Sequence, residues 1–410
     1  LQVTTGIENT LIGGEAGDSL TVGLANTAVG AFSLGADTKG KYTVAIGQAA
    51  LATQNFTTAT DVYNVAVGYR AGVAVTTGVQ NVFIGGLAGD AITDADNNTA
   101  VGVGALTTDT LGSKSTAIGR SALQTQNFTT ATDSNNTAVG FEAGKAVTNG
   151  VSNTLLGAEA GHSLTDGAEN VAVGVQALSS EDGNGQNTAV GMQALRDLNA
   201  GATGNNVAIG HIAGRLLTTG VQNTFIGSEA GDGTDDGGGN VAVGYLALSA
   251  NCGDDNCAVG KNVLEICTGT DNTGLGTAAG AAITSGINNL VLGHNAGRTG
   301  SPGGNITTGN NTIALGNETI SACHIQADWT VASDQRDKTD FTVLNIGLDF
   351  VKALNPVTYK WDKRARYGDR TADNYDLDAQ TPDGTHKEDW LDVGFKAQEV
   401  EVLEKAAGYK

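Results

Sequence analysis

The strongest constraint on the fold is a short motif, Asn-x-x-x-Gly, that recurs along most of the chain, usually every 17 residues. The motif begins with Asn in fifteen copies and with Thr43, Ser115 or Thr312 in the other three, so this residue can always hydrogen-bond a turn. A unit this short cannot bury a core alone, and its copies must stack on one another. The repeat therefore predicts a mainly β chain, a parallel β-roll or β-helix solenoid of about eighteen coils. The motif glycines stand at positions 13, 30, 47, 68, 85, 102, 119, 140, 157, 174, 191, 210, 227, 244, 260, 276, 293 and 316.

The residues that end at each motif glycine, such as Thr-Ala-Val-Gly at 27–30, predict a short strand with side chains alternating between two faces. Thr and Val share one face, and Ala and Gly share the other. None of the four positions is charged in any copy, whereas a half-exposed strand usually carries charge toward solvent. We therefore expect both faces to be covered. The small Ala and Gly face suits close approach of another backbone, so three-fold self-association is expected along it.

A longer period of four coils overlies the short one. Its clearest mark is an insertion, TQNFTTATD, that stands at 53–61 and again at 125–133, which is 72 residues later. If the coils stack in register, both insertions project from the same side of the solenoid. Their aromatic residues, Phe56 and Phe128, are the candidate contacts for a surface receptor.

The composition changes near residue 320. Of the 60 glycines, 55 lie before residue 321, and all three tryptophans lie after it. In the later part, LDFVKAL has helical apolar spacing, Pro356 ends that pattern, and VTYKW alternates like a strand. The sequence therefore predicts a repeat shaft over 1–320, a connector over 321–332 and a small α+β domain over 333–410.

Several partner classes are disfavoured by composition. A formal charge of −21 would repel a phosphate backbone, so no nucleic-acid partner is expected. The cysteines form no CxxC pattern, so we expect no metal and no cofactor, with Cys252 and Cys267 as free, small core residues. No stretch of some 18 apolar residues is present, so no membrane insertion is expected.

The chain lacks an initiator methionine, so we expect it to begin inside a longer protein or after processing.

The repeats, read as NTAVGxxAL and NVAIGHIAG, are similar to the head repeats of trimeric autotransporter adhesins. The resemblance covers about residues 6–316. It implies a left-handed parallel β-roll that packs as a trimer.

Three separated motifs, SDQRDK, LNPVTYKW and GFKAQEV, resemble the self-cleaving intramolecular chaperone domain that ends endosialidase tailspikes and many phage fibres. The resemblance implies a domain that directs homotrimeric assembly of a β-rich stalk and then cuts itself free. Relatives continue into further helices after the last motif, so the domain is expected to be incomplete at Lys410.

The same resemblance assigns a serine and lysine dyad to Ser333 and Lys338, with at most a single-turnover autoendopeptidase activity. A lysine whose pKa is lowered by burial can accept the serine proton. Attack by Ser333 on the carbonyl of Ala332 passes through a five-membered ring, which favours cleavage between these two residues. Cleavage between Ser333 and Asp334 stays open if another chain supplies the nucleophile.

Together these expectations predict a phage tail fibre or tailspike that attaches a virion to its host. Its expected partners are two further copies of the chain, other tail proteins, and a host cell-surface receptor that is a glycan or an outer-membrane component. Two alternatives stay open at this stage, a bacterial trimeric adhesin at the cell surface and a polysaccharide-degrading tailspike.

Overall fold

The computed structural model describes residues 4–183, 185–201, 203–323, 347–362, 364, 367–368 and 379–408. The chain divides into two compact units, Leu1–Asn317 and Glu318–Lys410.

In the first unit, eighteen strands of three residues pair in chain order into one parallel sheet, each in register with the next. Every strand ends directly before a motif glycine, so the predicted β-solenoid is confirmed. The strands are Thr10–Ile12, Thr27–Val29, Val44–Ile46, Val65–Val67, Val82–Ile84, Thr99–Val101, Thr116–Ile118, Thr137–Val139, Thr154–Leu156, Val171–Val173, Thr188–Val190, Val207–Ile209, Thr224–Ile226, Val241–Val243, Cys257–Val259, Thr273–Leu275, Leu290–Leu292 and Ile313–Leu315.

The motif glycine is required by both its backbone and its surroundings. Gly119 has a φ of 137°, a conformation that L residues rarely adopt. A Cβ placed on it would lie 2.2 Å from the carbonyl oxygen of Gly140, the equivalent glycine of the next coil. Only a residue without a side chain lets successive coils approach this closely, which explains why the glycine is invariant among the repeats.

The asparagine of the motif forms a buried ladder along the solenoid. Asn81 accepts a hydrogen bond at Oδ1 from the backbone N–H of Asn98 (2.9 Å) and donates from Nδ2 to the carbonyl of Ala95 (2.8 Å). Both partners lie on the next coil. A buried amide is costly unless it is hydrogen-bonded, and this one is paired through both ends. The ladder therefore locks each turn to its neighbour.

The two ladder positions occupied by Thr43 and Ser115 are each followed by one of the insertions. Gln126, inside the second insertion, donates to Ser115 Oγ (2.7 Å) and accepts from Nδ2 of Asn136, the next ladder residue (2.9 Å). Gln54 makes the same pair of bonds with Thr43 and Asn64 (3.2 and 2.9 Å). The insertion thus supplies the amide that the shorter ladder residue lacks.

Each insertion also adds a two-residue parallel strand pair outside the main sheet. Gly40–Lys41 pairs with Thr60–Asp61, and Gly112–Ser113 pairs with Thr132–Asp133.

The solenoid core corrects one prediction about the strand faces. The central residue, usually Ala, is buried in every strand except the first, whereas the residues on either side of it are half-buried or exposed. The small face therefore points inward, and the Thr and Val face points outward, so the expectation of association along the Ala and Gly face is wrong. The alternation of side chains separates two faces but does not show which of them is inside. Leucines from the turns, such as Leu106 and Leu123, already fill much of the narrow interior, so only the small face of the strand fits there.

The four-coil period has a packing cause. Where the strand centre carries a large residue, as at the fully buried Phe83, the turns of its own coil and of the preceding coil carry Gly instead of Leu. A Cβ on Gly72 would lie 2.7 Å from the Phe83 ring, and one on Gly89 would lie 2.4 Å from it. Phe225 fits Gly214 and Gly231 in the same way. A large residue at the strand centre thus fills the space that the turn leucines fill elsewhere in the core.

In the second unit, the described elements are helix Leu348–Ala353, strand Pro356–Tyr359, strand Asp392–Phe395 and helix Ala397–Ala406. The two strands pair in antiparallel orientation. The small α+β character predicted for this region is confirmed, including a helix that stops just before Pro356.

Candidate functional site

One face of the eighteen-stranded sheet points out of the solenoid and carries no charge. This outward sheet face consists of the first and third residues of each strand, which are Thr, Val, Ile, Leu or Cys. At about 4.8 Å per strand it runs for roughly 85 Å. A continuous uncharged surface of this length is typical of an interface with another chain. Nine of its third-position residues are more than a third exposed: Ile12, Ile46, Ile84, Ile118, Leu156, Ile209, Ile226, Leu275 and Leu315.

The residue after the motif glycine extends the apolar surface beyond the strand ends. In six coils it is a large residue between 44 and 58 % exposed, namely Tyr69, Val103, Phe141, Val175, Met192 and Tyr245. Two cations accompany this row, because Arg120 lies 5.6 Å from the centroid of the Phe141 ring and Lys261 lies 5.9 Å from that of Tyr245. Sequence analysis did not single out this row, although the position directly after each glycine can be read from the repeat.

A buried carboxylate of the shaft anchors each insertion. Asp109 accepts hydrogen bonds from the backbone N–H groups of Gly112 (3.1 Å) and Phe128 (3.0 Å) and from Gln126 Nε2 (2.6 Å). Asp37 makes the equivalent three bonds in the first copy. Because each carboxylate is fully buried and multiply bonded, it fixes the conformation of its insertion.

The structure places Phe56 and Phe128, the candidate receptor contacts, at only 6 % exposure. Their rings are therefore inward anchors of the insertions, and a surface ligand would meet the threonines around them. An aromatic residue in a polar insertion looks exposed in sequence, but here it covers the apolar side of the insertion.

Two of the cysteines lie inside the solenoid. Cys252 and Cys267 are free and buried, as predicted. Burial raises the pKa of the Cys252 thiol to about 11, and it raises the pKa of Cys267 as well. Both groups are thus neutral thiols at physiological pH, without the thiolate that nucleophilic chemistry needs.

The described part of the C-terminal unit brings two of its three sequence motifs together. Strand Pro356–Tyr359 belongs to the PVTYKW motif and strand Asp392–Phe395 to the GFKAQEV motif, and Val357 lies opposite Gly394. Beyond the strands, Asp362 accepts hydrogen bonds from the Tyr367 hydroxyl (2.8 and 2.9 Å) and from the Gly384 N–H (2.8 Å).

None of the described residues from Glu318 to Gly408 is buried. The exposed apolar side chains include Trp390 at 60 %, Val393 at 77 % and Phe395 at 51 %. Residues of this kind usually form a core, so the surface they present here is suited to burial against other protein.

The predicted dyad, Ser333 and Lys338, lies outside the described residues, as do Ala332 and Asp334 on either side of the cleavage positions. Their roles therefore stay predictions. In the part of the chain that the structure describes, no group of three or more His, Cys, Asp or Glu side chains is arranged to hold a metal ion. Among the same residues, no helix is both long and apolar enough to cross a membrane.

Comparison with known families identifies the C-terminal region. Residues 333–409 match the family model described as chaperone of endosialidase, which confirms the resemblance drawn from the three motifs. Neither the curated proteins nor the solved structures give a match to the chain. The match covers the C-terminal domain only, and a β-solenoid followed by this domain supports an endosialidase-type tail fibre or tailspike.

Proposed function

We propose that three copies of this chain form a phage tail fibre, with the solenoids as its shaft and the C-terminal domain as the chaperone of its assembly. The outward sheet face carries this proposal, because it is uncharged over eighteen strands and its residues are half-buried or exposed in the single chain. Removal of apolar surface from water contributes about 25 cal/mol per Å², so covering this face would strongly stabilise an assembly. Three copies arranged around one axis can each turn the same face inward.

Assembly of such a shaft poses a problem of register. Neighbouring coils differ little on the outward sheet face, so two chains displaced by one coil, about 4.8 Å, would still bury a similar surface. A domain that holds three C-terminal ends level would let the shafts associate from one defined starting point. This is the role we assign to residues 333–409, the region matched by the chaperone family.

The exposed apolar residues of the C-terminal unit support this role. With Trp390, Val393 and Phe395 open to solvent in the single chain, association of three domains would supply the burial that each one lacks.

Release of the chaperone follows from the dyad chemistry. In the proposed step, Lys338 as a neutral amine takes the proton of the Ser333 hydroxyl, and Oγ attacks the carbonyl carbon of Ala332. The Ala332–Ser333 amide bond breaks as its nitrogen leaves with a proton, and an ester forms. Water then hydrolyses the ester, which yields a carboxylate on Ala332 and a free amino group on Ser333. The alternative bond, between Ser333 and Asp334, would be cut if another chain provided the nucleophile.

The resulting fibre belongs on the virion tail, where other tail proteins would hold one end and a host cell-surface receptor would bind along the shaft. Attachment to the host is therefore the proposed activity of the assembled trimer.

One expression experiment tests assembly and release together. The gene, with its complete C-terminal coding region, is expressed as wild type and as Ser333→Ala, and both products are run on native and denaturing gels. We expect trimers from both proteins and a fragment cut beside residue 333 from the wild type alone. If the wild type is never cut, the chain does not cleave itself and the proposed autoproteolysis is wrong. Failure of both proteins to form trimers would overturn the shaft model.

A further inference from the structure

An open groove of about 410 Å³ lies beside the second insertion. Its lining includes the side chains of Asn127, Thr129, Thr130, Thr148 and Asn149, together with part of Phe128. None of the lining residues is charged. The groove therefore offers hydroxyl and amide groups around a small apolar area, and these groups can both donate and accept hydrogen bonds.

The same residues recur at the first insertion. A shift of 72 positions places Asn55, Thr57, Thr58 and Thr76 where the second insertion has Asn127, Thr129, Thr130 and Thr148. Four coils separate the two copies, which corresponds to about 19 Å along the shaft. A trimer would thus carry these positions as two rings of three.

The identity of the two insertions extends to exposed residues that lie outside the core and outside the eighteen-stranded sheet. All nine residues of TQNFTTATD are the same in both copies, including Thr57, Thr58 and their counterparts, which are exposed. Within nine residues after the insertions, positions outside the core have diverged, since the exposed Tyr63 and Arg70 correspond to the exposed Asn135 and the half-buried Glu142. A recent duplication alone would leave the exposed residues of the insertions and the positions after them equally similar between the two copies. The exposed threonines therefore point to a shared surface role.

The groove is separate from the proposed interface. None of its lining residues belongs to the eighteen-stranded sheet, so covering the outward sheet face does not by itself cover the groove.

The charges near the two copies restrict the class of ligand. At the first copy, Thr76 and Thr77 donate to the carboxylate of Asp94, and these hydrogen bonds lower the pKa of Asp94. At the second copy the equivalent residue is Asp166. With a chain charge of −21, the shaft would repel acidic polymers.

We propose that the groove at the second insertion and the matching surface at the first insertion are equivalent binding sites for a neutral polysaccharide, held by hydrogen bonds to the Asn and Thr side chains. This inference deepens the proposed role in host attachment and rests on it. Single sites with few polar contacts bind weakly, and repetition at about 19 Å along a trimer would raise the avidity for a polymer.

The test uses the full chain as wild type, as a groove variant and as a matched control. The groove variant is Thr57→Val, Thr58→Val, Thr129→Val and Thr130→Val, which removes four hydroxyls with little change in shape. The control, Thr307→Val with Thr308→Val, alters an exposed threonine pair in a turn far along the chain from both insertions. Binding is measured on a panel of immobilised neutral and acidic bacterial polysaccharides, and light scattering gives the mass of each protein.

We expect the wild type and the control to bind one or more neutral polysaccharides, and the groove variant to bind them at least about tenfold more weakly. Equal binding by the groove variant would overturn the groove assignment while leaving host attachment intact. Binding to acidic polysaccharides alone, or to none of the panel, would overturn the ligand class. The proposed fibre assembly fails separately, if the wild type does not have the mass of a trimer.

Discussion

Gln126 and Asn136 are joined by a hydrogen bond of 2.9 Å from the asparagine Nδ2 to the glutamine Oε1, inside the solenoid. This contact links the second insertion to the buried ladder at the coil where Ser115 replaces asparagine. The insertion is thus part of the core of the shaft as well as part of its surface.

The first prediction follows from this contact. Gln126→Ala leaves buried polar atoms of Ser115 and Asp109 with fewer partners, which should lower the free energy of unfolding by about 1–3 kcal/mol. Urea unfolding followed by circular dichroism measures the change. Gln48→Ala, at an exposed position, serves as the control and should have little effect. Equal stability of the two variants would show that the insertion does not support the ladder.

The second prediction concerns the contact between successive glycines. Gly119→Ala forces a Cβ to within 2.2 Å of the Gly140 carbonyl oxygen at a φ of 137°, so we expect a loss of more than about 2 kcal/mol or failure to fold. Gly86→Ala is the matched control, because a Cβ at that position meets no atom within 4 Å. Soluble yield and thermal unfolding compare them, and a Gly119→Ala protein as stable as the control contradicts the close-approach argument.

The third prediction concerns thiol reactivity. With a pKa of about 11, the buried Cys252 thiol should resist alkylation by iodoacetamide at pH 8, whereas the exposed Cys323 should react. The pKa in the folded state is above the ordinary value of 9.0. The stability that the neutral Cys252 thiol contributes is therefore complete below about pH 9 and is lost as the pH rises toward 11. Peptide mass mapping with and without denaturant checks this, and native labelling of Cys252 as fast as Cys323 would count against a closed core.

The repeat was sufficient to predict the solenoid, because the spacing of its glycines and asparagines is dictated by contacts between coils. The Asn81 side chain bonds only to the next coil, and such a requirement leaves a strict period. The chaperone domain was also recognised from the order of its motifs.

The orientation of the strand faces could not be predicted in the same way. Thr-Ala-Val has two uncharged faces, and the choice between them depends on how much room the turn leucines leave inside the coil. The burial of Phe56 and Phe128 was missed for a related reason. Their neighbours are polar, and only the buried contacts of Asp37 and Asp109 reveal that each insertion folds back onto the shaft.

The central claim is that the outward sheet face is the surface along which three chains associate. The most direct test places charge on that face by Ile209→Asp combined with Ile226→Asp, two exposed third-position residues. Thr307→Asp with Thr308→Asp, in an exposed turn, is the control of equal charge.

Light scattering after size-exclusion chromatography measures the mass of each protein, with circular dichroism to confirm that the β-solenoid is folded. We predict the mass of a trimer for the wild type and the control, and the mass of a folded single chain for the Ile209 and Ile226 variant. A folded variant that keeps the trimer mass would contradict the account, because two buried charges per chain could not be tolerated at the proposed interface.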